Sequence, residues 1–361
     1  MTSTPRYVPH GERRGTDHLL AAMRRAIELS ARGLGTTSPN PVVGCVILDA
    51  DSNPAGEGWH QQTGGPHAEV NALRAAGERA RGGTAVVTLE PCNHFGRTGP
   101  CSQALLEAGV ASVVYAVADP NAQAAGGAAT LREAGVDVHA GVLEPEAARV
   151  NEAWLHAVRT GRPFVVWKYA ASLDGQIAAA DGSSRWITGP EARRDVHRLR
   201  HELDAVLVGS GTVLADDPAL TVRDLPDGGA PTHQPLRVVL DRSGRIPTGA
   251  QVLDDAAETL VSAEKPADLL AELFARGVRS VLVEGGPTVA GSFWEGGLVD
   301  KVVGYTAPVL LGSGRWPMLR NQAQRTMADA VRLEVVEAVR LGADLRLTAY
   351  PSPHPTTEQG S

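Results

Sequence analysis

The sequence has few cysteines, almost no lysine and no long apolar run, and each shortage excludes a class of protein. No stretch reaches the ~20 apolar residues of a membrane-spanning helix. Residues 1–14 contain no apolar segment of the kind found in secretory signals. Three cysteines, an odd number, argue against a disulfide-stabilised extracellular scaffold. We therefore expect a cytoplasmic protein that binds no membrane.

The charge balance does not suit a general nucleic-acid-binding protein. The formal net charge is −7, and only three of the 34 lysine and arginine residues are lysines. Binding to a nucleic-acid backbone needs clustered positive charge, so we expect no nucleic-acid partner. Isolated arginines still suit a small phosphorylated ligand, because a guanidinium group can bind phosphate through two parallel hydrogen bonds.

The length of 361 residues suggests about two domains. Apolar residues make up 43% of the chain and charged residues 21%, which is typical of globular proteins and excludes a disordered chain. Apolar strands alternate with amphipathic helices on both sides of a break at residues 161–163, which predicts two α/β domains. The predicted organisation is a flexible leader at 1–16, a first domain at 17–145, a linker helix at 146–163, a second domain at 164–349 and a disordered tail at 350–361.

One histidine and two cysteines in the first half suggest a metal centre. His67 opens a predicted helix, Cys92 follows a predicted strand and Cys101 begins the next predicted helix. A catalytic zinc takes three protein ligands and leaves a fourth position for water. His-x-Glu followed by Pro-Cys and a further Cys is the pattern of zinc nucleobase deaminases, although eight residues separate the cysteines here. We expect these three residues to bind Zn²⁺.

Glu69 is better suited to proton transfer than to metal binding. It lies two residues after His67, which on a helix is a rotation of about 200°, so the two side chains would not be adjacent ligands. We expect its carboxylate to carry a proton from water to a leaving amine. For His67, Cys92 and Cys101, the alternatives to a catalytic zinc site are a structural zinc site or two unrelated buried cysteines. Cys45, inside an apolar predicted strand, is interpreted as a buried free thiol.

The second half has a possible phosphate-binding turn but lacks the usual dinucleotide fingerprint. No Gly-x-Gly-x-x-Gly follows its first predicted strand. Residues 284–288 follow an apolar strand and open a helix, where backbone amides can bind phosphate. The alternative is a plain strand-to-helix turn. Lys168 lies in an apolar predicted strand, so its ammonium group either faces a ligand or reaches solvent at the strand end.

Several short motifs in both halves are distinctive. The first half contains SPNPVVG at 38–44, GEGWH at 56–60, PHAEV at 66–70, EPC at 90–92 and PC at 100–101. The second half contains ASLDG at 171–175, RWIT at 185–188, ARRDV at 192–196, TVLADDPALTVR at 212–223 and VEGGPT at 283–288. Together they closely resemble the bifunctional riboflavin-biosynthesis deaminase/reductase family, from about residue 17 to residue 347. Ala122, Asn93 and Gly99 depart from the family pattern and concern loop geometry.

The resemblance implies two consecutive reactions. A cytidine-deaminase-like α/β/α domain would hydrolytically deaminate 2,5-diamino-6-ribosylamino-4(3H)-pyrimidinone 5′-phosphate. A dihydrofolate-reductase-like α/β domain would then use NADPH to reduce the ribosyl group of 5-amino-6-(5-phosphoribosylamino)uracil to ribityl. The ligand would be a phosphorylated pyrimidine, and the family suggests a homo-oligomer.

The resemblance also implies roles for individual residues. Glu69 and Lys168 would be the catalytic residues. Substrate contacts would come from Asn40, His60, Arg97, Ser184, Arg200, Leu220, Arg223 and Glu284. NADPH contacts would come from Ala170, Trp186, Thr212, Asp216, Gly286, Pro287 and Thr288. A hydrogen-bonded structural role remains the alternative for His60, and a solvated surface remains the alternative for any single arginine.

Two other functions are compatible with part of the sequence. One is a zinc deaminase acting on nucleic-acid bases with an unrelated second half, which the acidic charge disfavours. The other is a non-catalytic binding or scaffold protein that keeps only the fold. The complete set of His67, Glu69, Cys92 and Cys101 argues against that function.

Overall fold

The computed structural model of the protein describes residues 10–94, 99–312, 314–320 and 326–352. Within it the chain divides into two units, one of residues up to Thr160 and one of residues from Gly161 onward. The division falls beside the predicted break at 161–163. Both units are built from a sheet and helices, so the predicted α/β class holds for each of them.

Among the described residues, the first unit contains one sheet of five strands and six α-helices. The strands are β1 (Gly44–Leu48), β2 (Pro54–Trp59), β3 (Thr84–Leu89), β4 (Ser112–Val117) and β5 (Asp137–Ala140). The helices are α1 (His10–Ala31), α2 (Ala68–Ala76), α3 (Cys101–Ala108), α4 (Gly127–Glu133), α5 (Glu144–Val150) and α6 (Glu152–Thr160). The spatial strand order is β2-β1-β3-β4-β5. Strand β1 is antiparallel to both neighbours, and β3, β4 and β5 are parallel.

Helices cover both faces of this sheet. Val46 of β1 packs in an apolar cluster with Met23 of α1, whereas Ile47 packs in another cluster with Ala72 of α2 and Leu105 of α3. Every residue of β1 is buried, which explains its continuous apolar sequence. The first unit is therefore an α/β/α sandwich.

Two predicted segments differ from their observed structures. Helix α1 begins at His10, so residues 10–16 of the predicted leader are helical. The predicted linker helix at 146–163 is instead two helices that pack within the first unit. Trp154 of α6 is only 7% exposed in its core, and the Asn151 side-chain oxygen accepts the backbone N–H of Val42 at 3.2 Å. Residues 1–9 of the leader and 353–361 of the predicted tail lie outside the described residues.

The second unit contains, in its described part, one sheet of eight strands. The strands are β6 (Phe164–Ser172), β7 (Ala205–Gly209), β8 (Leu236–Leu240), β9 (Thr259–Ser262), β10 (Ser280–Val283), β11 (Lys301–Ala307), β12 (Leu333–Leu341) and β13 (Asp344–Pro351). The helices are α7 (Pro190–Glu202), α8 (Ser210–Asp216), α9 (Pro266–Ala275) and α10 (Pro287–Glu295). None of the described helices in either unit is long and apolar enough to cross a membrane.

In the second sheet, the carboxyl ends of the parallel strands lie side by side. The order is β12-β13-β11-β6-β10-β7-β8-β9, and the six strands from β11 to β9 run parallel. The antiparallel hairpin of β12 and β13 extends this sheet and is not predicted by the sequence analysis. Most side chains of β12 are exposed, so it lacks the apolar run that marks the central strands. Ligands of open parallel sheets bind outside the carboxyl ends of the strands.

Helix α1 packs against β1 so closely that residue 44 has no room for a side chain. A Cβ atom at Gly44 would lie 1.9 Å from the carbonyl oxygen of Ala26. We expect Gly44→Ala to lower the free energy of unfolding by about 1–3 kcal/mol, the usual effect of overpacking a core. Urea unfolding followed by circular dichroism measures this loss.

Gly249→Ala is the matched control. A Cβ at Gly249 would have nothing within 4 Å, so its effect should stay within about 0.5 kcal/mol. Equal stability of the two variants would contradict the close packing of α1 on β1.

Candidate active sites

Three potential metal ligands from separate elements meet in the first unit. His67 precedes α2, Cys92 follows β3 and Cys101 begins α3. The His67 Nδ1 atom lies 3.3 Å from Cys101 Sγ and 3.5 Å from Cys92 Sγ. Tetrahedral zinc, with Zn–N and Zn–S bonds of about 2.0 and 2.3 Å, places such ligand atoms about 3.5 Å apart. The donor set and its spacing therefore fit zinc.

Backbone contacts position the two cysteines. The backbone N–H of Cys101 points at Cys92 Sγ at 3.4 Å, and Ser102 donates its backbone N–H to the Cys92 carbonyl at 3.2 Å. The Ser102 hydroxyl also donates to Asn93 Oδ1 at 2.7 Å. These bonds join the two ends of the long segment between the cysteines. Arg97, predicted to contact the substrate, lies in this segment but outside the described residues.

Glu69 is buried beside the metal-ligand cluster. Glu69 lies in the first turn of α2 and is only 3% exposed. It lines a cavity of about 160 Å³ together with His67 and Cys92. Burial and the neighbouring Cys92 raise the pKa of Glu69 to about 6. Glu69 thus lines the same cavity as His67 and Cys92 without belonging to the ligand set.

Asn40 and His60 line the same cavity and bond to each other. His60 is 3% exposed, and its Nδ1 lies 3.1 Å from the carbonyl oxygen of Pro66. This carbonyl requires a hydrogen on Nδ1, so Nε2 accepts the bond from Asn40 Nδ2 at 3.3 Å. His60 therefore orients the Asn40 amide and anchors the residue that precedes His67.

The sequence analysis misses some residues that line this cavity. Trp154 reaches it from α6, which the sequence analysis treats as a linker. Asp119 lines it too, and its backbone N–H donates to the Glu90 carboxylate at 3.3 Å. The other Glu90 oxygen accepts the backbone N–H groups of Gly126 and Ala128. An aromatic residue on an amphipathic helix is the only sequence signal for Trp154, and it indicates burial without a location.

The second unit has a cavity of about 1160 Å³ at the carboxyl ends of its parallel strands. This exceeds the ~300–1000 Å³ of ordinary small-molecule pockets, so it can hold a dinucleotide together with a substrate. All the residues predicted for the reductase line this cavity: Lys168, Ala170, Ser184, Trp186, Arg200, Thr212, Asp216, Leu220, Arg223, Glu284, Gly286, Pro287 and Thr288. His197, which the sequence analysis does not single out, lines it as well.

A cluster of three buried charges lies in this cavity. Arg200 donates from Nε and Nη2 to the two Glu284 oxygens at 2.6 and 3.0 Å, and Lys168 Nζ lies 3.5 Å from Glu284 Oε2. Burial alone would raise the pKa of Glu284, but the two cations lower it to about 2. Burial lowers the pKa of Lys168. The cluster therefore keeps one carboxylate between two cations in the lining of the cavity.

The turn after β10 brings the start of a helix to the cavity. A Cβ at Gly285 would lie 2.8 Å from Val289 Cβ, so only glycine lets α10 begin this close to the strand. The backbone N–H of Gly286 donates to Thr212 Oγ1 at 3.3 Å, and Pro287 occupies the first turn of the helix. The remaining backbone amides of this turn are available to a phosphate.

Together the two sites define a class of protein. The first unit has the ligand set and buried carboxylate of a zinc-dependent deaminase, and the second is an α/β unit with a cavity sized for a dinucleotide. The model of the cytidine and deoxycytidylate deaminase zinc-binding region matches residues 17–117, and that of the RibD C-terminal domain matches residues 163–347. The chain belongs to the RibD family of riboflavin biosynthesis proteins.

Full-length relatives agree with both family models. The riboflavin biosynthesis protein RibD of Mycobacterium tuberculosis H37Rv is 50% identical over 329 residues, covering 91% of this chain and 96% of the relative. RibD of Escherichia coli K12 is 43% identical, covering 90% and 97%. A structure of Acinetobacter baumannii RibD has a TM-score of 0.86 at 42% identity, covering 93% of this chain and 99% of that one. A Thermotoga maritima deaminase/reductase structure has a TM-score of 0.87 at 36% identity, covering 94% and 100%.

Family membership decides the predictions about the two domains, their activities and their cofactors. The deaminase-like first domain, the reductase second domain and the two enzyme activities are confirmed. The zinc-binding region and the reductase domain support Zn²⁺ and NADPH as the cofactors. The roles of individual residues stay predictions.

The Glu284 cluster makes a prediction about stability. Glu284→Gln leaves Lys168 and Arg200 buried without their counter-charge, so we expect the free energy of unfolding at pH 7 to fall by about 3–5 kcal/mol. Folding lowers the pKa of Glu284 from 4.5 to about 2, so the ionised carboxylate stabilises the fold above pH 4.5. That contribution is lost as the pH falls from 4.5 to about 2. The difference between wild type and variant should shrink over this window in urea unfolding.

Glu272→Gln serves as the control for this experiment. Glu272 pairs with Arg276 at 3.2 Å on the surface, with side chains 40% and 44% exposed, and its loss should change stability by less than about 0.5 kcal/mol. A loss of unfolding free energy as small as this in Glu284→Gln, or a loss that grows as the pH falls, would contradict the role of the buried cluster.

Proposed function

We propose that this chain catalyses two consecutive steps of riboflavin biosynthesis, one in each unit. The first is hydrolytic deamination of 2,5-diamino-6-ribosylamino-4(3H)-pyrimidinone 5′-phosphate. The second is NADPH-dependent reduction of the ribosyl group of 5-amino-6-(5-phosphoribosylamino)uracil to ribityl. The observation that carries the proposal is the pairing of two sites in one chain. The His67, Cys92 and Cys101 cluster lies beside Glu69, and the Lys168–Glu284–Arg200 cluster lies in a dinucleotide-sized cavity.

In the deaminase site the protein supplies a metal-binding cluster and a proton carrier. Zinc bound by His67, Cys92 and Cys101 supplies a Lewis acid that makes water a nucleophile near neutral pH. Water adds to the ring carbon that bears the amino group, and the C–N bond then breaks to release ammonia. Glu69 takes the proton from the attacking water and gives it to the departing amine. Its burial beside the cluster keeps this transfer away from solvent.

In the reductase site the protein holds charge and supplies a proton. NADPH supplies the hydride when it is bound. Conversion of ribosyl to ribityl adds hydride to C1′, breaks the bond between C1′ and the ring oxygen, and adds a proton to that oxygen. Lys168 is the buried ammonium group placed to provide this proton. Arg200 and Lys168 hold Glu284 ionised, so its oxygens can accept hydrogen bonds from sugar hydroxyls.

The predicted contact residues complete the proposal. Asn40, His60 and Arg97 would bind the substrate of the deaminase, and Ser184, Arg200, Leu220, Arg223 and Glu284 that of the reductase. Because Arg200 is occupied by Glu284 and by the Thr221 carbonyl, we assign the 5′-phosphate to Arg223. NADPH would contact Ala170, Trp186, Thr212, Asp216, Gly286, Pro287 and Thr288.

The proposal also covers the setting in which the enzyme works. Its ligand is a small phosphorylated pyrimidine. A homo-oligomer and a cytoplasmic location remain predictions, based on the family resemblance and on the scarcity of cysteine. Size-exclusion chromatography with light scattering determines the oligomeric state.

Glu69→Gln should retain zinc and lose deamination. The amide has a similar shape but cannot carry the proton, and a general acid–base group contributes about 10²–10⁴-fold to the rate. Ammonia release measures the loss, and metal analysis of the purified variant measures its zinc content. Deamination at the wild-type rate would exclude the proton-carrier role.

Cys101→Ser provides the contrast to this variant. It removes a thiolate ligand, so both the zinc content of the protein and the rate of ammonia release should fall. Glu69→Gln, by contrast, should lower only the rate of ammonia release. NADPH oxidation with the deaminated intermediate should continue in both variants.

The two-step proposal itself is tested with purified wild-type protein and the diaminopyrimidine ribotide. Ammonia release and NADPH absorbance are followed separately. We expect both signals, with NADPH loss depending on prior deamination. Ammonia without NADPH loss would contradict the reductase assignment, and neither signal from folded, zinc-loaded protein would contradict both assignments.

A further inference from the structure

Residues 217–223 of the second unit form a segment without helix or strand, and it carries two of the proposed substrate contacts, Leu220 and Arg223. Leu220 has a backbone φ of +52°, a left-handed conformation that is unfavourable for a leucine. Its side chain is 3% exposed and belongs to an apolar cluster with Val208 of β7 and Val239 of β8. The shape of this segment therefore depends on support from the rest of the unit.

Gln234 supports the residue before Arg223 through both polar atoms of its side chain. Its Oε1 accepts the backbone N–H of Val222 at 2.7 Å, and its Nε2 donates to the Val222 carbonyl oxygen at 2.9 Å. Val222 is 2% exposed, so its peptide groups need partners within the protein. The Gln234 amide thus takes the place of a neighbouring strand, which in an antiparallel pair exchanges two such bonds with one residue.

The peptide groups on either side of Val222 are held by helix α7. Arg200 donates from Nη1 to the Thr221 carbonyl oxygen at 3.1 Å, and the backbone N–H of Arg223 donates to His197 Nδ1 at 3.3 Å. Burial and the neighbouring arginines lower the pKa of His197 to about 4, so its ring is neutral at pH 7 and can accept this bond. Three consecutive residues of the segment are therefore fixed between α7 and Gln234.

Gln234 itself extends from a fixed point of the sheet. The buried Pro235 follows it, and Leu236 then begins β8. The backbone N–H of Leu236 donates to the Asp204 carbonyl oxygen at 2.9 Å, and Leu236 pairs with Ala205 of β7. The central part of the sheet therefore sets the position from which the Gln234 side chain reaches Val222.

Arg223 is the cavity-lining residue that this arrangement places. Its side chain is exposed, and its Nη1 donates to Thr221 Oγ1 at 3.2 Å. A guanidinium group has five N–H donors in a rigid fork, so this bond leaves donors for a phosphate. Gln234 is not among the described residues that line the cavity. Any influence of Gln234 on a bound substrate must therefore pass through the backbone that it holds.

We propose that Gln234 is the positioning residue for Arg223 and thereby sets the affinity of the reductase for the 5′-phosphate of its substrate. The inference rests on the proposed assignment of that phosphate to Arg223. Gln234 acts by fixing the peptide from which the Arg223 side chain extends, and a site loses affinity when the residues that support its contacts are removed. Its removal should weaken phosphate binding and leave the reduction at C1′ unchanged.

The test compares the phosphorylated substrate with its dephosphorylated counterpart on the full-length protein. Dissociation constants for 5-amino-6-(5-phosphoribosylamino)uracil and 5-amino-6-ribosylaminouracil are measured by isothermal titration. The proteins are wild type, Gln234→Ala, Arg223→Gln and the double variant. The kcat of reduction at saturating phosphorylated substrate is followed by NADPH absorbance.

We expect Gln234→Ala to weaken binding of the phosphorylated compound about tenfold, the effect of losing about one charge-assisted hydrogen bond. Binding of the dephosphorylated compound and kcat should each change by less than about twofold. The double variant should bind the phosphorylated compound no more weakly than Arg223→Gln, because both substitutions remove the same interaction.

Two further variants separate this effect from damage to the fold. Gln234→Met keeps the length of the side chain but lacks the amide donor and acceptor, so it should show the same loss as Gln234→Ala. Asp227→Ala changes an exposed residue of the same connection, whose carboxylate accepts the backbone N–H of Gly229 at 2.9 Å. It should leave both dissociation constants within about twofold of wild type.

Three results would overturn the inference. The first is an equal loss of affinity for the two compounds in Gln234→Ala and Gln234→Met. The second is an unchanged affinity for the phosphorylated compound in these variants. The third is a double variant in which the two losses add, since Gln234 would then act independently of Arg223. Wild-type affinity in Arg223→Gln would overturn the phosphate assignment and this inference with it. Wild-type protein that does not bind the phosphorylated compound would instead contradict the proposed reductase function.

Discussion

Both sites depend on one constraint, which is that a strand buried in a sheet leaves room for charged groups only near its end or beyond the end of a neighbouring strand. Every residue of β1, β7 and β10 is buried, and none of them is charged. Lys168 lies inside β6, but one position beyond the point where the neighbouring β10 ends, since Val283 pairs with Trp167. The chemistry is therefore collected at the ends. Cys92 follows β3 in the first unit, and Glu284 follows β10 in the second. The burial of the strands thus accounts both for the apolar interior and for the position of the polar sites.

Buried charge is the cost of placing reactive groups at these ends, and each unit offsets it differently. In the first unit the group that needs a counter-charge is a pair of cysteine side chains, and a metal ion would supply it. In the second unit the protein supplies its own counter-charges, because Glu284 lies between Arg200 and Lys168. The two cations keep the Glu284 carboxylate ionised, and the carboxylate in turn keeps the two cations in the cavity. Removal of one member would leave the others unbalanced in a medium of low dielectric constant.

The parts of the fold with strong local signals could be predicted from the sequence. Continuous apolar runs identify β1 and β10 because both faces of these strands are covered, and His67, Cys92 and Cys101 stand out because their residue types are scarce. Hairpin β12–β13 could not be predicted, since most side chains of β12 are exposed and it lacks an apolar run. The position of Trp154 in the deaminase cavity depends on how α6 returns to the sheet, which is a long-range contact.

The absence of a glycine-rich dinucleotide fingerprint has a consequence for how a cofactor is recognised. In a sheet with that fingerprint, one loop of backbone amides holds the pyrophosphate and a nearby acidic or basic side chain selects the ribose. Here a backbone contribution would come from the start of α10, which the tight approach of Gly285 to Val289 holds close to its strand. The rest of a nucleotide would then have to be recognised by side chains that line the cavity, because the second unit lacks a glycine-rich loop after its first strand.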